Sequence, residues 1–317
     1  MSRPWLSVLV PVYNGSATLK ITLDSVVEQA DGIEVILVDQ GSQDQSVAIA
    51  ESYSDKMDLQ IVPAPDNKSW VQNTNLALSL AKAPRATLLH QDDLWRPGRA
   101  ALLQEMFEQN PDAALWVHGS DYVDASGSVI GALAPSFGPR ARNVERDEAV
   151  SRLLVQNTIA IPSAAFPVAA ARELGGLDET LWYTADWQFW LGLAARGVTA
   201  WSSERMTAFR LHQGSLTISG SCDLDDFEAQ LAAPLARNAD VLPKDTRDRL
   251  LSIAEASKLL NVWLASVFHG KRRPFWPVLR AILGLGPRGL ITFINDTRIV
   301  ARLLPRFRLF SHKKCSE

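Results

Sequence analysis

Residues 6–39, LSVLVPVYNGSATLKITLDSVVEQADGIEVILVD, decide how this chain folds. Residues 7–12 are short, apolar and rich in valine, the mark of a buried strand. Residues 18–30 then place Leu19, Leu23, Val26 and Val27 at helical spacing, and residues 34–39 return to an unbroken apolar run from Val35 to Val38. A continuous apolar run bounded by polar turns suits a strand covered on both faces, whereas a 3–4 spacing suits a helix with one buried stripe. The unit is therefore strand, helix, strand. The same alternation continues outward. A polar turn at 41–44 opens a helix that runs to about Tyr53, and strands follow at 59–62 and 86–89 around a helix at 70–81. Another helix starts at Pro97, where the missing N–H costs nothing. The pattern predicts an α/β fold with a mostly parallel sheet flanked by helices and right-handed crossovers.

Beyond residue 110 the reading loosens. Residues 114–122 read as a strand, and 129–133 as its return arm in a hairpin that turns on Asp124-Ala-Ser-Gly127. Residues 140–220 look mixed, with Gly175-Gly176 ending a helix that begins near Val168 and a second helix over 186–195. Residues 224–269 are helical in pattern, and from Lys271 the chain turns basic. The expected organisation is a nucleotide-binding α/β domain over 1–220 and a C-terminal helical extension over 221–317 with a basic amphipathic tail.

Composition narrows the class. With 47% hydrophobic and 21% charged residues over 317 positions, the chain can bury a core without disulfide staples. Its two cysteines, Cys222 and Cys315, have no CxxC spacing, so a disulfide framework or zinc site is not expected and a reducing compartment is. The apolar run at 8–12 is too short for an export signal, and no stretch reads as the ~18 apolar residues of a membrane span. A cytoplasmic protein is expected. Overall there are 32 Lys/Arg against 35 Asp/Glu, but 11 against 2 from Lys271 onward, leaving 21 against 33 before it. A basic tail on an acidic body suggests contact with an anionic surface. That acidic body argues against a nucleic-acid partner.

In a parallel sheet, ligands sit beyond the carboxyl ends of the strands. Tyr13-Asn14, Asp39 and Asp92-Asp93 stand there. Adjacent carboxylates at the end of a buried strand repel, and a hard cation such as Mg²⁺ or Mn²⁺ with a substrate phosphate relieves them. The alternative is a solvated turn before a helix. Tyr13 suits a base or ribose face, and Asp39 suits a base N–H or ribose hydroxyl, although both also suit ordinary turns. Asp186 opens an aromatic-rich helix, as a cap on the helix dipole or as a general base. His212, in Phe209-Arg-Leu-His-Gln-Gly-Ser215, is a surface residue or a ligand. No GxGxxG follows the first strand, and GxxxxGK[ST] and GxSxG are absent too. The dinucleotide fingerprint, the P-loop and the hydrolase elbow are thereby excluded.

Taken in order over about residues 5–220, these segments resemble the family-2 glycosyltransferases, inverting enzymes of the GT-A fold that use nucleotide sugars. The matching pieces are Leu6-Ser-Val-Leu-Val-Pro-Val-Tyr-Asn14, Val38-Asp39-Gln-Gly-Ser42, Asn67 and Asn75, and Leu89-His-Gln-Asp-Asp93. Gly175-Gly-Leu-Asp178 with Ala185-Asp-Trp-Gln-Phe-Trp190, and Arg210-Leu-His212 with Ser215, complete the set. The sequence departs from the family pattern at Gln40, where a second aspartate is usual, and at His90, which replaces an aspartate. The family's processive synthases carry a Q/R-x-x-R-W motif, which is not evident here, so the resemblance implies single additions.

The resemblance implies roles as well as a fold. Pro11, Val12, Tyr13, Asp39 and Asn75 would line the nucleotide pocket, and Asp92 would meet the ribose or sugar of the donor. Asp93, with His212, would hold Mn²⁺ or Mg²⁺ against the diphosphate. Asp186 would take the proton of an acceptor hydroxyl on a glycan or a lipid-linked sugar of a surface polysaccharide. Rival classes are a nucleotidyltransferase, which commonly needs a Gly-rich basic loop that residues 12–16 lack, and a non-catalytic sugar-nucleotide-binding module. The basic tail reads in two ways: as interfacial helices lying on anionic lipid at the inner face of the cell membrane, or as a helical subdomain with Arg on its wet face.

Overall fold

The structure, a computed structural model, describes residues 3–311 apart from Gln213, Ser215, residues 217–219 and Pro243, and apart from the side chains of Phe307, Leu309, Phe310 and Ser311. Ser215 and Cys315 thus lie outside the described residues.

Ten strands form one sheet in the order β3-β2-β1-β4-β9-β6-β10-β5, with β7 on β6 and β8 on β10. The opening strands are β1 (Leu6–Val12), β2 (Ile33–Asp39), β3 (Asp58–Pro63) and β4 (Arg85–Leu88). β1 pairs in parallel with β2 and β4, and β2 with β3, as the strand–helix alternation predicts. Every residue of β1 and β2 is buried, which is why both read as unbroken apolar runs. Helices α1 (Leu19–Val27), α2 (Ser46–Glu51) and α3 (Trp70–Leu80) make the crossovers.

A two-residue β5 (Leu94–Trp95) and α4 (Arg99–Gln109) lead into β6 (Leu115–Val123), and β7 (Val129–Leu133) folds back on β6 as the expected hairpin. The mixed region resolves into β8 (Arg142–Val144), α5 (Arg146–Val155), β9 (Ala164–Pro167), α6 (Val168–Glu173), α7 (Ala185–Ala194) and β10 (Thr199–Arg210). β9 inserts antiparallel between β4 and β6, and β10 runs parallel to β6. β10 was not legible because its register on β6 shifts between Ser202 and Thr207. A bulge there breaks the two-residue alternation by which a strand is recognised.

Among the described residues, five helices follow the sheet from Leu224 onward: α8 (Leu224–Asn238), α9 (Lys244–Phe268), α10 (Trp276–Gly284), α11 (Gly286–Thr297) and α12 (Ile299–Ser311). Their apolar faces enter the same core as the sheet: Phe227, Leu231, Ile253, Val262 and Phe293 cluster with Leu153, Phe166 and Trp190. By length and composition α9 does qualify as a membrane span, against the sequence reading. Leu250, Ile253, Ala254, Ala256 and Val262 of this helix are nevertheless buried within the fold.

Candidate active site

The loops after β1, β2 and β4 are stitched together by short polar side chains. Asn14 sits at φ 48°, a left-handed conformation that asparagine tolerates. Its N–H donates to Ser42 Oγ (2.9 Å) and its Oδ1 accepts from the Gln43 N–H (2.8 Å). Asp44 accepts from the N–H groups of Ser16 and Ser46, both at 2.9 Å. These donors hold its carboxyl well below the usual range. Gln91 reaches back from the β4 end and clasps the Tyr13 backbone, accepting from its N–H (2.8 Å) and donating to its carbonyl (3.0 Å). A Cβ on Gly15 would meet Gln91 Oε1 at 2.6 Å, so glycine is needed for that clasp.

Above these loops opens a cleft of about 620 Å³. That is the usual size for a small-molecule site. Pro11, Val12, Tyr13, Gln40, Asn73, His90 and Asp92 line one part, and Gln156, Asn157, Tyr183, Asp186 and His212 are also on its wall. Of the nine residues expected from sequence, Pro11, Val12, Tyr13, Asp92, Asp186 and His212 come together here. Three do not.

Asp93 is the first. It is buried behind the cleft, where its Oδ1 accepts from the Arg210 N–H (2.9 Å) and its Oδ2 has no hydrogen-bond partner. Burial, and then the neighbouring charge of Asp92, push its carboxyl well above the usual range. In the turn that follows β4, Asp92 lines the cleft and Asp93 does not. Asp92 Oδ2 lies 3.0 Å from His212 Nε2, which joins the β4 end to the segment after β10. Arg210, itself buried, fixes that junction by donating to the carbonyls of Asp92 (2.9 Å), Asp124 (2.8 Å) and Ala125 (3.1 Å).

Asn75 is the second. Its amide grips the loop after α6, accepting from the Leu177 N–H (2.8 Å) and donating to the Leu177 carbonyl (2.9 Å). Two residues earlier on the same helix, Asn73 does reach the cleft and donates to Gln40 Oε1 (3.3 Å). Asp39 is the third. Its carboxylate closes the β2–α2 turn, accepting from the N–H groups of Gly41 and Ser42 at 3.0 Å each and from Ser42 Oγ at 2.5 Å. Its neighbour Gln40 lines the cleft instead.

Asp186 lies in the first turn of α7 and is 9% exposed. Its Oδ2 accepts from Asn157 Nδ2 (2.8 Å). Burial raises its carboxyl to about 6, against hydrogen bonds from the Trp187 N–H and Asn157 that pull it down. A carboxylate that binds a proton near neutrality and faces a ligand cleft suits a general base. Asn157 escaped the sequence reading because nothing in residues 135–165 shows a period.

For a cation, the cleft offers the Asp92 carboxylate and the His212 imidazole. His90 stands edge-on to Trp70 with ring centroids 5.0 Å apart. Its Nε2 has no hydrogen-bond partner, and ligand atoms of His90, Asp92 and Asp93 lie within 4.8 Å of one another. Burial holds His90 below the usual imidazole range, which leaves it neutral and able to ligate. A mixed carboxylate and imidazole set fits a divalent ion such as Mn²⁺.

The glycosyl transferase family 2 profile matches residues 7–149. An uncharacterized glycosyltransferase of Rickettsia typhi is 25% identical over 231 residues, 71% of this chain and 70% of that protein. Among solved structures, residues 1–349 of TarS from S. aureus in complex with UDP-GlcNAc superimpose with a TM-score of 0.70 at 17% identity, covering 94% of this chain and 90% of that one. The mannosyltransferase PcManGT from Pyrobaculum calidifontis, in complex with GDP-Man and Mn²⁺, gives 0.56 at 18% identity over 98% and 88%. The fold is GT-A.

Proposed function

The chain belongs to glycosyl transferase family 2 through residues 7–149, and on that premise we propose that it moves a sugar from a nucleoside-diphosphate sugar to an acceptor hydroxyl, with inversion at the anomeric carbon. The observation that carries this reading is that Asp186, raised to about 6, shares one cleft with Asp92 and His212. A general base and a cation-binding pair are the two groups that such a transfer needs.

The chain's own residues divide the work. The nucleoside lies against Pro11, Val12 and Tyr13, with Gln40 and Asn73 as its hydrogen-bonding partners. Asp92 and His212 would hold a divalent ion, and the nitrogen ligand would favour Mn²⁺ over Mg²⁺, which prefers oxygen. When bound, that ion neutralises the charge gathering on the departing diphosphate. Arg210 and Asp93 keep the Asp92 loop in place. Asp186, oriented by Asn157, accepts the proton of the attacking hydroxyl. Attack from the face opposite the diphosphate inverts the anomeric centre.

A panel of UDP-, GDP-, dTDP- and CMP-sugars tests the donor class. One of them, with Mn²⁺, is expected to raise the melting temperature by several degrees, and NMR of the product to show the anomeric configuration opposite to the donor's. No stabilisation by any sugar nucleotide, or a retained configuration, contradicts the reading.

The acceptor is proposed to lie at a membrane. Eight of the thirteen exposed large hydrophobic side chains among the described residues fall between Phe275 and Leu304, including Trp276 at 66% and Leu283 at 70% exposure. The surface around them carries Lys271, Arg272, Arg280, Arg288 and Arg298. The one carboxylate between residues 271 and 311, Asp296, is buried and paired with Arg152 at 3.0 Å. Exposed apolar groups among unopposed cations suit the interface of an anionic bilayer. The full chain is expected to float with phosphatidylglycerol vesicles and not with neutral ones, and Trp276→Glu with Leu283→Glu to stay in the pellet. Equal flotation of both proteins removes the membrane from the proposal.

A further inference from the structure

We propose that Arg302 and Arg306 form a second anion subsite in the cleft, on the side of Asp186, which takes a phosphate group carried by the acceptor. This rests on the reading of the cleft given above and names the chemistry of its second substrate.

The two residues stand four apart on α12, so their guanidiniums share one face of the helix. Like charges at that spacing repel and weaken a helix. Both nevertheless line the cleft, and Arg302 is only 7% exposed. Neither is in an ion pair among the described residues. Arg302 donates to Asn261 Oδ1 (2.7 Å) and to the Thr297 carbonyl (3.2 Å), which are neutral acceptors that leave its charge uncancelled. Arg306 has no hydrogen-bond partner among the described residues. Elsewhere in the chain Arg152, Arg237 and Arg273 each meet a carboxylate. Burying a cation without a counter-charge is costly, and here two are placed together. Among the described residues the titratable groups acting on Arg302 are Arg306 and the phenols of Tyr122 and Tyr183, with no carboxylate. Burial and the charge of Arg306 bring the Arg302 guanidinium down to about 10, so it stays protonated at neutral pH. An anion from outside the chain is the missing partner.

The helix is held in place rather than trailing. A Cβ on Gly131 would meet Pro305 Cγ at 2.4 Å, so α12 presses directly on β7. Arg308 Nη1 donates to the Ile130 carbonyl at 2.7 Å. The position of the pair within the cleft separates it from the donor. Arg302 and Arg306 also line a smaller adjoining cavity with Gln156, Tyr183, Leu231 and Asn261, and none of Pro11, Tyr13, Gln40 or Asn73 reaches that cavity. Gln156 adjoins Asn157, the residue that orients Asp186. An anion bound here sits beside the base and away from the nucleoside wall, where an acceptor hydroxyl must arrive. Paired guanidiniums match phosphate oxygens through their forked N–H groups. Phosphate on an acceptor has two sources, a phosphoprenyl lipid or a phosphodiester polymer.

The test uses the full chain, saturated with Mn²⁺ and whichever of UDP or GDP binds it. Geranyl phosphate, glycerol 3-phosphate and geraniol are each titrated by calorimetry into the wild type, Arg306→Gln and Arg306→Lys. At least one phosphate is expected to bind the wild type, at least tenfold more weakly the Gln variant, and at an intermediate level the Lys variant, while nucleotide affinity stays unchanged in all three. Tighter binding of geranyl phosphate assigns the lipid, and tighter binding of glycerol phosphate the polymer. Equal binding to wild type and Gln variant, geraniol binding as well as its phosphate, or no phosphate binding beside normal nucleotide binding overturns the subsite. Loss of nucleotide binding by the wild type itself sinks the reading of the cleft, and the subsite with it.

Discussion

Asp186→Asn is expected to lower the transfer rate by about 10²–10⁴-fold, the range for loss of a positioned general base, while donor affinity is unchanged. It is also expected to make the protein more stable. The Asp186 carboxyl is raised from 3.8 to about 6 by burial. In the unfolded chain the group ionises at the lower value, so between the two values the native state holds a proton that the unfolded state has released. The protonated carboxyl therefore contributes stability that is fully present below pH 4 and lost as pH rises through about 6. At pH 7.5 the charged form costs the fold on the order of 3 kcal/mol, and asparagine removes that cost. Melting curves of the two proteins should separate at pH 7.5 and converge below pH 4. The pH profile gives an independent reading. Wild-type kcat/KM should fall below about pH 6, and Asn157→Ala should move that limb upward, since the Asn157 N–H stabilises the ionised carboxylate. A variant with near-normal turnover, or a profile flat through pH 6, removes Asp186 as the base.

The second large effect separates two neighbouring aspartates. Asp92→Asn is expected to weaken Mn²⁺-dependent nucleotide binding by ~100-fold, on the scale of lost ligand-shell contacts. Asp93→Asn should leave it within a few fold. Asp92 faces the cleft beside His212, whereas Asp93 is buried against the Arg210 N–H, and burial raises its carboxyl well above the usual range. An amide of the same shape keeps the acceptor for the Arg210 N–H and carries no buried charge, so the replacement costs little. The reverse pattern, with Asp93→Asn losing the Mn²⁺ response and Asp92→Asn keeping it, would make Asp93 the ligand.

The strand–helix alternation of the first hundred residues was legible because β1 and β2 are buried on both faces and α1 between them carries an apolar stripe of Leu19, Leu23 and Val26. The hairpin at 129–133 was legible from its turn. The later sheet was hidden for local reasons: β9 has four residues, and β10 is broken by a bulge. At the site, the segments singled out in the sequence surround one cleft, but three of the nine side chains named do not enter it. Asp92 lines the cleft as expected but Asp93 beside it does not, and Gln40 and Asn73 line it where Asp39 and Asn75 were expected. Each pair is one or two residues apart, in a turn, at a strand end or on a helix, and only local geometry decides which of the two faces the cleft. Facing direction is set by the loops that stitch β1 to β2 and β4, and these depend on contacts between residues 28 to 120 apart. Arg302 and Arg306 carried no signal as cleft residues at all. They enter the site only because α12 folds back onto β7, a contact between positions 131 and 305.

The proposed transfer depends on a divalent ion held by Asp92 and His212 in the cleft that Asp186 lines. Anomalous diffraction at the manganese edge, from crystals grown with Mn²⁺ and the nucleotide selected by the donor panel, tests this most directly. The predicted result is one manganese peak within bonding distance of the Asp92 carboxylate, the His212 imidazole and a phosphate oxygen. A peak on other side chains, or a nucleotide bound with its phosphates turned away from Asp92, would contradict it.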